Sequence, residues 1–130
     1  MNKEAILKTL DIDTDQLNLK VWVEEDPQCG TACCLGGSAL IQAGVSVTWI
    51  NNATHGEVRT RAAEVLGITH LEALRLFHVQ NWPEDFKSNT NPMAGVSLTK
   101  FGPALLPGTR EYYKRVKERV QLFVDTDGRI

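Results

Sequence analysis

The sequence predicts a mainly α, single-domain fold organised around one buried helix of small residues, with room for one short β segment. Three observations carry this expectation. Residues 27–44 contain no charge between Gln28 and Gly44, and Ala32, Gly36, Gly37, Ser38 and Ala39 let neighbouring segments approach closely. At that length an uncharged helix is a buried core element rather than a membrane span. Two capping boxes, Thr54 with Glu57 and Thr69 with Glu72, flank Gly67-Ile68 and announce a helical hairpin. Residues 110–124 then carry Tyr113, Val116, Val120 and Phe123 at helical spacing.

Composition narrows the setting. The chain has 130 residues, which is one domain's length. Apolar residues make up 42% and charged residues 23%, a balance that builds an ordinary globular core. A net charge of −2 argues against a general polyanion binder and makes DNA an unfavoured partner. The start, Met1-Asn2-Lys3-Glu4-Ala5, lacks the pattern of an export signal, and no apolar run reaches bilayer length. The expectation is a cytoplasmic protein without membrane contact, with free thiols at Cys29, Cys33 and Cys34.

Along the chain, residues 2–10 place Ala5, Ile6, Leu7 and Leu10 near helical spacing and read as a docked N-terminal helix. Residues 11–18 are a polar connection. Residues 19–23 alternate and suit a short strand, ended by the acidic turn Glu24-Glu25-Asp26-Pro27. The central helix is expected from Thr31, as N-cap, to Gly44, as the left-handed residue past its end. Residues 45–53 end in a loop signal, Asn51-Asn52. The first hairpin helix shows Val58, Ala62, Val65 and Leu66 on one face, and the second shows Leu71, Leu74 and Phe77. Pro83 stops the second helix. Residues 84–106 read as a long loop with a helical turn near 94–98 or as a packed segment. Pro107-Gly108-Thr109 starts the last helix, and Asp125-Thr126-Asp127-Gly128 ends it.

The pattern Cys29-Gly30-Thr31-x-x-Cys34-Leu35-x-Gly37, followed by Ala62-Ala63-x-x-Leu66-Gly67-Ile68-Thr69-x-x-Glu72-Ala73-x-x-Leu76-Phe77, resembles a family of small uncharacterised proteins of bacteriophages and bacterial genomes. The resemblance spans residues 22–82. That family has no assigned activity, so the resemblance implies a phage or bacterial setting and no particular chemistry.

Each chemical candidate stands beside a structural one. Cys29 at a helix N-terminus would have a stabilised thiolate, and with His55, His70 or His78 could serve as the nucleophile of a cysteine hydrolase. Gln28-Cys29-Gly30 is similar to the papain-like nucleophile region, although there the oxyanion Gln lies several residues before the Cys. Otherwise Cys29 and Cys34 are small buried hydrophobes. Cys29 and Cys33, at i and i+4, would share a helical face and with two histidines could ligate zinc, but the tight Cys-x-x-Cys spacing is missing. The hairpin around Gly67 resembles a helix-turn-helix, yet its second helix offers only Arg75 against Glu72. Trp22, Trp49 and Trp82 lie beside loops, where they line a pocket, anchor a partner or fill the core. The reading is a non-enzymatic binding module for a protein partner or small ligand, as an inhibitor of a host system if the phage setting holds. Its binding candidates are Cys29, Gly30, Thr31, Trp22, Trp49 and Trp82, and neither cofactor nor metal is expected. The alternatives are a hydrolase using Cys29 and a DNA-binding regulator.

Overall fold

The chain folds, in a computed structural model that describes residues 1–11, 17, 23–26, 30–90, 98–99, 102–103, 105–106 and 108–130, as a mainly α protein. The elements are α1 (Lys3–Lys8), β1 (Val23–Asp26), β2 (Gly30–Cys33), α2 (Leu35–Gln42), α3 (Val47–Asn52), α4 (His55–Leu66) and α5 (His70–Phe77), then a 3-10 turn (Val79–Asn81), α6 (Glu84–Thr90), β3 (Leu98–Thr99), β4 (Gly102–Pro103) and α7 (Arg110–Asp125). The strands form two antiparallel pairs: β1 on β2 with Val23 opposite Cys33, and β3 on β4 with Leu98 opposite Pro103. No helix among the described residues is long and apolar enough to cross a membrane.

The small-residue helix is the pivot that its composition predicts, but it starts later. Residues 35–40 of α2 are all buried, Gly36 and Gly37 included, and the helix packs most extensively on α4 and also on α1 and α5. Thr31 is not its N-cap. Residues 30–33 are drawn into a strand by pairing with residues 23–26, and the cap position falls to Cys34, which is extended and makes no side-chain cap bond. The acidic run 24–26 is likewise strand rather than turn, because it is the partner of that pairing. At the other end Gly44 has φ +87°. Its N–H reaches Ile41 O (3.0 Å) and the Val45 N–H reaches Leu40 O (3.0 Å), so the two bonds close a Schellman motif that non-glycine residues rarely allow.

Both capping boxes form. Thr54 Oγ1 accepts from Glu57 N (3.1 Å) while Glu57 Oε1 accepts from Thr54 N (3.0 Å), and Thr69 with Glu72 repeats the exchange at 3.2 and 2.8 Å. Gly67 (φ +66°) turns the chain between the two helices, and the Ile68 N–H bonds Ala63 O (3.0 Å). Thr69→Ala removes an acceptor for an otherwise orphaned helix donor. It is expected to cost about 1 kcal/mol, seen as a lower urea midpoint at unchanged slope; an unmoved midpoint would mean that the cap contributes nothing.

The buried face of α4, Val58, Ala62 and Leu66, lies where its periodicity places it. That of α5 is rotated: Ala73, Leu76 and Phe77 are buried, whereas Leu71 is 56% exposed. The 73/76/77 spacing is itself a helical stripe, and the close packing against α2 and α4 selects the side bearing the small Ala73. Residues 47–52, left unassigned apart from the loop signal Asn51-Asn52, and residues 84–90, part of the expected long connection, are helices. Ser46 Oγ caps α3 by accepting from Trp49 N (3.1 Å). Pro83 precedes α6, whose first turn carries Glu84 and Asp85. A proline with two acids following is a helix start as well as a stop. Residues 94–97 lie outside the described residues, and residues 98–99 and 102–103 are a short strand pair rather than a helical turn.

On α7 the buried face is Tyr112, Val116, Arg119, Val120, Phe123 and Val124. Tyr113 sits at its edge, where the hydroxyl donates to Leu10 O (2.7 Å) and ties α7 to the end of the α1 segment. Arg119 is fully buried. Its Nη2 donates to Arg75 O (3.1 Å) and Ile130 O (2.7 Å), and its guanidinium lies 5.5 Å from the Trp82 ring centroid. Burial lowers its pKa to about 10, against which the Asp85 charge works, so it stays a cation at neutral pH. One turn earlier Arg115 lies 3.9 Å from the Phe86 centroid and reaches Asp85 (3.4 Å). These two arginines and their rings join the α6 region to α7.

Candidate functional site

The α3–α4 corner is where an exposed cation, an aromatic ring and open space coincide. The capping box fixes the phase of α4. Its surface therefore carries Glu57 and Arg61 one turn apart on one line, and His55 and Arg59 on another. Trp49, on the preceding short helix, is half-buried against the core, and Arg61 lies over its outer face with the guanidinium carbon 4.5 Å from the ring centroid. Trp49, Thr54, Gly56, Glu57, Arg59, Thr60, Arg61 and Glu64 line an open groove of about 500 Å³. Beside Gly56 the groove is open: a methyl group built there meets nothing nearer than Thr54 Oγ1 at 4.0 Å. Glu57 is held below the usual carboxylate range by the Thr54 backbone N–H and hydroxyl, so it is a fixed anion in the wall. The β1–β2 hairpin packs against α3 through β1, which brings the backbone of the cysteine-rich segment to this side of the fold.

On its other flank Arg59 reaches α5. Its Nη1 lies 3.2 Å from Nε2 of His78, the residue that closes α5. Because a guanidinium only donates, the His78 nitrogen accepts, and the ring is the neutral Nδ1–H tautomer. Burial first, then the charges of Arg59 and His55, hold the His78 pKa below the ordinary histidine range.

The residues expected to matter are distributed as follows. Trp49 lines the groove. Trp82 is a core residue, 3% exposed, with Nε1 donating to Leu76 O (3.1 Å). Trp22 and Cys29 lie outside the described residues, and so does any pairing of Cys29 with a histidine. Gly30 and Thr31 are strand residues of β2, as is Cys33. The expectation that Cys29 and Cys33 share a helical face therefore fails: the segment is extended because it pairs with β1. Cys34 is a buried thiol. His55 and His78 both flank Arg59, whereas His70 is exposed at the start of α5. No group of three or more metal-ligating side chains gathers among the described residues. Arg75, the cation of the hairpin's second helix, donates to Gly128 O (2.9 Å) and is turned toward the C-terminal segment. Sequence reasoning misses Arg59 and Arg61 as site residues. The phase set by the Thr54 box could put them on separate lines of α4, but nothing local pairs Arg61 with a tryptophan twelve positions earlier.

Comparison with protein-family models, with curated proteins and with solved structures returned no match.

Proposed function

We propose that the chain is a non-enzymatic binding module that engages a protein partner through the α3–α4 groove. The observation that carries this reading is the Arg61 guanidinium stacked 4.5 Å above Trp49 at the groove's edge. Tryptophan and arginine are the residues that most often anchor protein interfaces. A ring already seated on the core loses little freedom when a partner covers it. The groove is open, and a small ligand would leave much of its own surface in water there, whereas a protein surface can cap the whole of it. Fixed charges of both signs, Glu57 and Glu64 beside Arg59 and Arg61, give such a partner register more than raw affinity. If the resemblance of residues 22–82 to small phage and bacterial proteins carries their setting with it, the role we propose for this binding is inhibition of a host system.

The test is affinity capture from a bacterial lysate with the parent chain and with the Trp49→Ala/Arg61→Ala variant as baits. A partner recovered in stoichiometric amount by the parent, and reduced at least tenfold with the variant, is expected; loss of one hot-spot pair is worth about 2 kcal/mol or more. A partner held equally by both baits would move the binding surface elsewhere.

A further inference from the structure

The Arg59–His78 contact belongs to two places at once. It bridges α4 to the end of α5, and Arg59 also lines the groove. We propose that this contact is a proton-operated latch on the groove: neutral His78 holds the Arg59 guanidinium at the α4–α5 junction, and a proton taken from solvent onto His78 Nε2 releases it toward the groove. Its functional meaning rests on the groove being the binding site; the latch itself does not.

The chemistry follows from donor counting. In the neutral state Nε2 offers the lone pair that Arg59 Nη1 uses, at 3.2 Å. Once Nε2 carries a proton, two donors and two positive charges face each other, and the bond becomes a repulsion. The Arg59 Nε adds no hold of its own, since it is buried and has no acceptor among the described residues. The surrounding charges add to the effect. From α4 the groups that act on His78 are Arg59 and His55, both cationic or protonatable. α2, which packs on α5, has no charged side chain among residues 35–42. α6, which packs on the 3-10 turn beside His78, brings Glu84 and Asp85, and Asp85 is engaged with Arg115 at 3.4 Å. On α5 itself Arg75 is turned to Gly128 O.

The sign of the linkage is set by the lowered pKa. The folded state favours the neutral ring, so this contribution to stability is complete above about pH 6.5, the unfolded value, and is lost as the pH falls from there toward the folded-state value.

The experiment is an NMR pH titration of the free protein between pH 8 and 4.5, following the His78 ring carbons and the Trp49 indole N–H. His78 is expected to titrate below 6.5, and the indole signal is expected to move with the same midpoint. In H78Q the amide oxygen can still accept from Arg59 but cannot titrate, so the indole transition should vanish. In R59Q, which serves if H78Q does not fold, the His78 midpoint should rise and the indole should cease to follow it. An indole transition that persists in H78Q, an indole that ignores the His78 titration in the parent, or a His78 midpoint at or above 6.5 would each overturn the latch. No partner is present, so the outcome is independent of whether the groove binds one.

Discussion

Arg119→Ala is expected to lower the melting temperature by about 10–15 °C, the equivalent of about 3 kcal/mol for a domain of this size. The side chain is fully buried, and its removal leaves Arg75 O and Ile130 O without their donor. It also opens a void between the rings of Trp82 and Phe123. Both acceptors are only partly buried, so losing their donor costs about 1 kcal/mol, and the void left by a fully buried side chain supplies most of the loss. Against this stands the relief of a buried cation, two of whose donor nitrogens, Nε and Nη1, have no acceptor among the described residues. The same relief makes Arg119→Met informative. Methionine refills much of the volume without the charge, and replacing a buried charge by an apolar side chain of similar size is often nearly neutral. That variant is expected within about 1 kcal/mol of the parent. Equal, large losses in both would show that the guanidinium's hydrogen bonds outweigh its desolvation. Calorimetry of the two variants separates these cases.

Gly37→Leu is expected to cost about 1–3 kcal/mol or to prevent folding. The competing effect has the opposite sign: leucine is about 1 kcal/mol better than glycine in a helix interior. Packing decides the outcome, because residues 35–40 of α2 are buried without a break and the helix lies against α1, α4 and α5. A four-carbon side chain has no exposed direction to take. A Gly37→Leu variant that melts at or above the parent would mean that α2 is not the pivot of the fold.

What was legible in the sequence was what local chemistry determines. The hydroxyl and carboxylate of each capping box lie three residues apart, and the glycines at 44 and 67 mark backbone that other residues avoid, so both signals survive without knowledge of the partners. The small-residue stretch was legible as a buried element because it carries no charge, and residues 35–40 of it are the buried part of α2. Its start was not. Thr31 is a good cap by composition, but hairpin pairing with Glu25, six residues earlier, makes it strand. The site was less legible than the fold. Trp22, Trp49 and Trp82 look alike in sequence. Trp82 is buried because α6 and α7 close over it, and Trp49 lines the groove because a six-residue helix, too short to announce itself by periodicity, holds it at the surface. Arg119 reads as one cation of a basic helix, yet it faces inward because the Trp82 and Phe123 rings and two carbonyls receive it.

The binding claim itself is tested most directly by hydrogen–deuterium exchange of the parent chain with and without the captured partner. Slowed exchange in residues 47–64, with Trp49→Ala/Arg61→Ala abolishing it, is the expected result. Protection confined to α7 or α1, with residues 47–64 unchanged, would contradict it.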